Sequence, residues 1–427
     1  SAAPTSAREA KGANLDDVCI VSACRTPLTK SNRGGLKDTP AHDLVAAVLA
    51  ETVRRTGVDP KDVGDVVLGS VMGHSSQRAN ECRIGMFLAG FPDTVPVHTV
   101  NRQCSSGLQA IASVAAAIKS GYYSVGIAGG VETMSADPMR WEGEIAENVA
   151  EHPQARDCFI PMGVTSENVA AQYHLSREVQ DRFAAESHRK AAAARKSGKF
   201  RDEIVPVSTK VKLQDGTVKS VVVSEDDGIR EGVSLEALGK LRPVFKKGGS
   251  TTAGNSSQTT DGAAAVMLMT RREAQRRGLA VMGVFRSFAA VGVPPRIMGI
   301  GPAFAIPAAV KLAGLGVQDV DVYEINEAFA SQASYSVDTL KIDPAKVNPN
   351  GGAIALGHPL GCTGARQTAT LLYEMARRGK TARFGVVSMC IGSGMGAAAV
   401  FEREGSEDRT SFAAPATART GLSADAQ

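Results

Sequence analysis

The amino-acid sequence predicts an α/β protein that contains two copies of one unit, with a long insertion in the first copy. Three observations support this prediction. Short apolar segments typical of strands alternate with amphipathic segments typical of helices, several segments of the first half recur in the second half, and residues 133–251 break the alternation. Alternating strands and helices favour sheets that are covered by helices on both faces.

The internal repeat consists of matched segments that follow one another at a nearly constant separation. A chance resemblance between segments rich in Gly, Ala and Val is the alternative interpretation. The matched pairs are Val100-Asn101 with Val347-Asn348, Asp65–Leu68 with Asp321–Glu324, and Ser124–Gly130 with Arg383–Ser388.

Several elements can be predicted along the chain from their residue patterns. Residues Ala41–Arg55 form an amphipathic helix, with Leu44, Val45, Val48, Leu49 and Val53 on one side, and Ile306–Ala313 form another. The segment Ser124–Gly130 reads as a strand. Inside the insertion, Val179–Ser197 predicts a long polar helix and Val211–Val223 a hairpin around Asp215-Gly216, and the insertion also holds Trp141, the single tryptophan of the chain.

These patterns divide the chain into five parts. The Ala- and Ser-rich start and the Ser/Thr/Ala-rich end predict disordered segments. The predicted parts are a leader at 1–15, a first core domain at 16–132 plus 252–283, an inserted loop or lid domain at 133–251, a second core domain at 284–403, and a tail at 404–427.

The bulk composition restricts the class of protein. A chain of 427 residues suits two or three domains, and 43% hydrophobic with 22% charged residues is typical of a globular protein. The net charge of +4 gives no indication of nucleic-acid binding, and no apolar run is long enough to span a membrane. The seven cysteines show no zinc-like spacing, so we expect a reducing compartment and no metal.

Cys104 is the first candidate for chemistry. It follows the extended residues Thr99-Val100 and precedes small residues that lead into a predicted helix. A cysteine at a helix N-terminus meets free N–H groups and the positive end of the helix dipole, which favour a nucleophilic thiolate. A small buried core residue is the alternative for any single cysteine.

Two glycine-rich segments strengthen the catalytic interpretation. His358 lies in Asn350–Gly361, and Cys390 ends an apolar run before Gly392-Ser393-Gly394. Glycines allow a close approach of the backbone and leave N–H groups free to point at a substrate. Cys104, His358 and Cys390 are therefore candidates for a nucleophile, a base and a second acid/base.

Four segments resemble the signatures of the thiolase family, in the order in which that family carries them. The resemblance covers residues 17–402, and details at 252–257 and 294–302 are most similar to the peroxisomal 3-ketoacyl-CoA members. The four segments are Asn101–Gly107, Asn326–Ala330, Gly351–Pro359 and Cys390–Gly394.

The resemblance implies a fold, an assembly and a reaction. The fold is a five-layered αβαβα core of duplicated αβα units with an inserted loop domain, and the assembly is a homodimer or a dimer of such dimers. The reaction is thiolysis, in which a 3-ketoacyl-CoA and CoA give acetyl-CoA and an acyl-CoA shortened by two carbons. Coenzyme A is a co-substrate, and no permanently bound cofactor, nucleic acid or membrane span is expected.

The resemblance also implies residue roles. Cys104 attacks the keto carbon, His358 accepts its proton, and Cys390 protonates the departing enolate and later deprotonates CoA. Asn326 holds a water in one oxyanion hole, and the N–H groups of Cys104 and Gly392 form the other; a turn asparagine and a bulge glycine are the structural alternatives.

Four residues are implied CoA contacts. Ser257 would contact the pantetheine arm, and the tunnel for that arm would be lined by Met162 and Met298. Arg230 would contact the nucleotide. A solvated charged loop is the alternative for Arg230, and core filling is the alternative for the two methionines.

Other functions remain as alternatives at this point. A biosynthetic acetoacetyl-CoA thiolase would run the reaction towards condensation, and a non-catalytic acyl-CoA or lipid carrier would be expected to lack one of the three reactive residues. The expected compartment is the peroxisome, with the mitochondrion as the alternative, because neither peroxisomal import motif is visible at the ends of the sequence.

Overall fold

The computed structural model describes residues 14–73, 77–139 and 143–404. Most of the predicted leader and tail, as well as Trp141, therefore lies outside the described residues. Among the helices that the structure describes, none has the length and apolar character needed to cross a membrane.

The first half of the chain forms a mixed sheet with helices on both faces. Its elements in chain order are β1 (Val18–Arg25), β2 (Thr29–Lys30), α1 (Ala41–Thr56), β3 (Val66–Gly69), α2 (Gln77–Leu88), β4 (Val97–Val100), α3 (Ser106–Lys119) and β5 (Val125–Thr133). The predicted helix at 41–55 and the predicted strand at 124–130 are confirmed as α1 and β5 to within three residues.

The segment between β5 and the next core strand contains the elements of the predicted insertion. They are α4 (Asn148–Glu151), α5 (Pro153–Asp157), α6 (Met162–Gln172), α7 (Arg177–Lys196), β6 (Val207–Lys212), β7 (Val218–Val223) and α8 (Leu235–Gly239). The predicted long helix is α7, whose start is capped by the Ser176 hydroxyl. The predicted hairpin is confirmed, with Gly216 at φ 85° in its turn.

The rest of the chain completes the first sheet and builds a second one. The remaining elements are β8 (Thr260–Thr270), α9 (Arg271–Arg276), β9 (Gly283–Gly292), α10 (Gly301–Leu312), β10 (Val322–Ile325), α11 (Ala330–Thr339), α12 (Ala353–Leu356), α13 (Leu360–Arg378), β11 (Phe384–Ile391) and β12 (Met395–Glu402). The helix predicted at 306–313 begins earlier, at Gly301, and Pro302 lies in its first turn, where proline is well tolerated. Pro307 lies inside the helix.

The two sheets have the same topology, which explains the internal repeat. In the first sheet β3 pairs in parallel with β5, and β5 and β8 are antiparallel neighbours. In the second sheet β10 pairs in parallel with β11, and β11 and β12 are antiparallel neighbours. Only Cys19 and Ile20 of β1 pair with β9 and connect the sheets. The duplication predicted from the matched segments is confirmed.

The hydrophobic clusters arrange these elements in five layers. Helices α1 and α2 cover the outer face of the first sheet, and α10 and α11 cover the outer face of the second. Helices α3 and α13 lie between the sheets, where Leu108, Ala369 and Leu372 pack against Leu268 and Phe401. Because the middle layer contacts both sheets, α13 is buried from Leu360 to Met375. The predicted five-layered αβαβα fold is confirmed.

A buried ion network joins the insertion to the core. The Arg25 guanidinium at the end of β1 contacts Glu203 at 2.7 Å and Asp226 at 2.7 Å, and all three side chains are almost fully buried. Removing the cation would leave two buried carboxylates without compensation. The network thus fixes the insertion relative to β1. For the bounds of the loop domain, we propose residues 133–251.

Candidate active site

Cys104 lies in a 3-10 turn (Gln103–Ser105) between β4 and α3. The sequence predicted this cysteine at the helix N-terminus itself, but α3 begins two residues later, at Ser106. Two side chains shape the turn: the Asn101 carboxamide oxygen accepts the N–H of Gln103 at 2.9 Å, and the Ser106 hydroxyl accepts the N–H of Arg102 at 3.0 Å. The cysteine itself is 9% exposed.

The Cys104 thiol is neutral in the substrate-free protein. Burial raises its pKa to about 11, although the backbone N–H groups of Gly392 and of Cys104 itself act in the opposite direction. The expectation of a lowered pKa is therefore wrong for this state, because desolvation outweighs the stabilisation offered by the nearby N–H groups. A base is required to remove the proton.

His358 is held by its backbone in a tight glycine-rich loop. Its N–H donates to the Gln258 carbonyl at 3.0 Å and lies 3.2 Å from the Thr260 hydroxyl. Gly357 precedes it at φ 106°, and a Cβ at that position would collide with the Thr260 side chain. Both constraints require glycine there.

The imidazole ring of His358 has a partner at each nitrogen. Nδ1 lies 2.6 Å from the Thr363 hydroxyl, and Nε2 lies 3.3 Å from the Asn326 amide nitrogen. An amide nitrogen donates, so this pattern assigns the lone pair to Nε2 and the proton to Nδ1. Burial, followed by the charge of Arg366, lowers the pKa of His358 to about 3. The neutral ring can therefore act as a base through Nε2.

Cys390 comes from the second half of the protein and lies near Cys104. It lies near the end of β11 and packs with Met298, Phe329 and Met162. Burial raises the pKa of its thiol, and the neighbouring Cys104 raises it further, so the two sulfur atoms interact. The next glycine, Gly392, directs its N–H to the Cys104 sulfur. Residues that are far apart in the sequence thus meet at one site.

Asn326 directly follows β10 and is fully buried. Its N–H donates to the Ser388 carbonyl at 2.8 Å, which places it beside the strand that carries Cys390. Its carboxamide oxygen has no protein hydrogen-bond partner among the described residues. A buried acceptor of this kind is available to an incoming donor.

Glu327 is a structural residue rather than a reactant. Its carboxylate accepts hydrogen bonds from the Ser187 hydroxyl at 2.6 Å, the Asn348 amide at 2.7 Å and the N–H of Ile354 at 3.2 Å. These partners belong to α7, the loop before Gly351 and α12. The buried carboxylate therefore ties the insertion to the segment that leads to His358.

The candidate CoA contacts fall into two groups. Met162 and Met298 belong to the cluster around Cys390, and Met162 is also close to Gly392. Ser257 is half-buried and pairs its N–H with the Ala328 carbonyl, beside the Asn326 segment. Arg230 is exposed, and no contact of the described residues joins its side chain to either cysteine. The first three lie at or beside the site, whereas Arg230 lies on the surface.

The residues that orient the reactive groups were not predicted from the sequence. Thr363 was visible in principle, as a hydroxyl placed five residues after the histidine on the first turn of the following helix. Gln103 gave no signal, because its side-chain partner Ser393 is 290 positions away. Such contacts depend on the packing of the two halves.

Comparison with known families covers nearly the whole described chain. The family model described as "Thiolase, N-terminal domain" matches residues 18–272, and the model described as "Thiolase, C-terminal domain" matches residues 279–403.

Relatives with names and solved structures agree with these matches. The chain is 60% identical over 413 residues to 3-ketoacyl-CoA thiolase 2, peroxisomal, of Arabidopsis thaliana, covering 96% of this chain and 89% of the relative. It is 55% identical to the human peroxisomal 3-ketoacyl-CoA thiolase, covering 92% of each. The dimeric peroxisomal thiolase of Saccharomyces cerevisiae superimposes with a TM-score of 0.85 at 46% identity, covering 92% of this chain and 98% of the yeast chain.

Proposed function

The chain belongs to the thiolase family, and from this membership and the site geometry we propose that it catalyses thiolysis of 3-ketoacyl-CoA in fatty-acid β-oxidation. It is an acetyl-CoA C-acyltransferase. The observation that carries the proposal is the approach of Cys390 to Cys104, whose sulfur faces the Gly392 N–H. His358 contacts Asn326, which is hydrogen-bonded to the strand that carries Cys390.

The first half of the reaction transfers the acyl group to the protein. His358 Nε2 takes the proton of Cys104, and the thiolate adds to the keto carbon. The Cα–Cβ bond then breaks, the acyl group remains on Cys104 as a thioester, and the electron pair leaves as the enolate of acetyl-CoA. Cys390 donates the proton that converts this enolate to acetyl-CoA.

Two oxyanion sites support this half-reaction. The oxygen of the former keto group faces the N–H groups of Cys104 and Gly392, and the thioester oxygen of the enolate faces His358 and a water held by Asn326. The unpartnered carboxamide oxygen of Asn326 supports the water-binding role. Fixed donors of this kind stabilise charge without reorganisation, and removing one typically costs about 3 kcal/mol of barrier.

The second half of the reaction releases the shortened acyl group. CoA enters the site left by acetyl-CoA, the Cys390 thiolate takes the proton of its thiol, and the CoA thiolate attacks the acyl-Cys104 thioester. Cys104 leaves as a thiolate and regains its proton from His358. Both cysteines return to the neutral state that burial favours in the substrate-free protein.

Four residues are the proposed contacts with CoA. Met162 and Met298 line the pantetheine tunnel beside Cys390, Ser257 contacts the pantetheine arm, and Arg230 meets the nucleotide at the surface. The half-exposure of Met162 and the exposure of Arg230 support an entrance from the side of the insertion. CoA is a co-substrate in this scheme.

The alternatives differ in direction or in chemistry. A biosynthetic acetoacetyl-CoA thiolase uses the same residues in reverse, but Pro161 stands before Met162-Gly163, where some short-chain biosynthetic members carry a histidine. A non-catalytic carrier has no need of two cysteines whose sulfur atoms lie close enough to interact. The degradative reaction is therefore the function that the site supports best.

The assembly that we propose is a homodimer. β4 is the edge strand of the first sheet, and its free backbone groups can pair with a second copy. Next to it, α2 exposes the large apolar residues Ile84, Phe87 and Leu88. The yeast thiolase is described as dimeric. The named relatives are peroxisomal, and we assign this chain to the peroxisome.

Loss of 3-ketoacyl-CoA absorbance tests the proposed function. Turnover should require free CoA, should disappear in Cys104→Ala and should fall severely in Cys390→Ala. Cys24→Ala is the matched control, since that thiol contacts Val48 and Thr52 of α1 and has no part in the scheme. Turnover that is independent of CoA, or that survives Cys390→Ala unchanged, would overturn the assignment.

A further inference from the structure

Two non-glycine residues with left-handed backbone conformation lie at the reactive site. Gln103, which precedes Cys104, has φ 46°, and Ser393, which follows Gly392, has φ 61°. Such conformations are unfavourable for residues with a Cβ and persist where surrounding contacts impose them. Gln103 belongs to the first half of the protein and Ser393 to the second.

A side-chain hydrogen bond connects these two residues. The Gln103 amide nitrogen donates to the Ser393 hydroxyl at 2.9 Å, and that hydroxyl donates to the Gly392 carbonyl at 2.5 Å. The carboxamide oxygen of Gln103 lies close to the backbone of Gly392, since a Cβ built on Gly392 would collide with this oxygen. The Gln103 side chain thus touches the Gly392 loop at two points.

Each of these residues adjoins one N–H group of the keto-oxygen site. The amide plane between Gln103 and Cys104 carries the Cys104 N–H, and the Ser393 hydroxyl is bonded to the carbonyl of Gly392 itself. We propose that the Gln103–Ser393 hydrogen bond sets the separation of the Cys104 and Gly392 N–H donors, which makes both side chains positioning residues for the acyl-transfer steps. This inference rests on the proposed function.

A double-mutant cycle in the full-length protein tests the inference. Gln103→Met and Ser393→Ala should each lower kcat roughly 10- to 100-fold, somewhat less than the loss of a whole donor, with KM changed less than about threefold. The double variant should be no slower than the slower single variant, because either change breaks the same contact. Multiplying losses, or an unchanged kcat, would overturn the inference.

Two further measurements separate positioning from damage to the fold. Ser393→Gly removes the hydroxyl and also relieves the strained φ, so it should keep or raise the thermal unfolding temperature while kcat falls as in Ser393→Ala. Lys341→Gly is the matched control, since Lys341 has φ 51° on the exposed surface far along the chain from either cysteine, and its kcat should not change. A Ser393→Gly variant with wild-type kcat would refute the role of the hydroxyl.

Alkylation of Cys104 by iodoacetamide gives a readout that forms no oxyanion. Its rate should change less than about threefold in Gln103→Met, since the thiol and His358 stay in place. An alkylation loss as large as the kcat loss would show a disrupted site and overturn the inference. Failure of the wild-type chain to cleave 3-ketoacyl-CoA would instead refute the proposed function, so the two failures are distinguishable.

Discussion

Replacing Thr363 by valine should remove the group that fixes the catalytic tautomer of His358. The Thr363 hydroxyl lies 2.6 Å from Nδ1, and both residues are buried, so water cannot replace it easily. Leaving a buried donor unsatisfied costs about 1–3 kcal/mol. If this cost falls on the productive orientation of the ring, kcat should decrease by roughly 5- to 150-fold.

The assay compares Thr363→Val with Thr363→Ser. Serine keeps the hydroxyl and should retain most of the wild-type kcat for 3-ketoacyl-CoA cleavage, whereas valine should not. KM should change little, because no hydrogen bond among the described residues joins the Thr363 side chain to a candidate CoA contact. Equal activity of valine and serine variants, with unfolding temperatures near that of the wild type, would refute the assigned tautomer.

Three other predictions concern protonation, the buried ion network and the packing of the middle layer. The rate of Cys104 alkylation should rise about tenfold per pH unit through neutrality and up to about pH 11, because the raised pKa leaves only about 0.1% of the thiol as thiolate at pH 8. A rate that becomes constant near pH 7 would contradict this expectation. Arg25→Met should lower the free energy of unfolding, measured by urea denaturation, by about 3–5 kcal/mol, because it leaves two buried carboxylates without a cation. A decrease below about 1 kcal/mol would indicate that these carboxyl groups are neutral. Gly130→Ala should lower the free energy of unfolding by at least ~1–3 kcal/mol, because the added Cβ would collide with the Gly361 carbonyl. Gly239→Ala is the control and should be near neutral, because the added Cβ would meet open space; equal effects of the two changes would mean that α13 can shift.

The architecture could be predicted because its signals are local or repeated. The alternation of apolar positions located α1, and the matched segments predicted two sheets of the same topology, which the pairing of β3 with β5 and of β10 with β11 confirms. The start of α10 was missed, since its first turn contains Gly301-Pro302, which do not carry an apolar period. The bounds of the loop domain stay a prediction.

The reactive residues were also visible in the sequence, but their electrostatics were not. Cys104, His358 and Cys390 stood out because each lies next to glycine or small residues, a pattern that local sequence reveals. The direction of the Cys104 pKa was mistaken, because it depends on burial by residues such as Leu360, more than 250 positions later. The hydrogen bond from Gln103 to Ser393 could not be predicted either, because the two residues are 290 positions apart.

Acyl transfer to Cys104 can be tested by measuring the mass of the protein after mixing with a 3-ketoacyl-CoA in the absence of free CoA. We expect an adduct on Cys104 that is the acyl group shortened by two carbons, formed together with acetyl-CoA and discharged when CoA is added. Cys104→Ala should carry no adduct. An adduct on another cysteine, or turnover without any acylated intermediate, would contradict the convergence of the two sulfur atoms and the imidazole on one substrate.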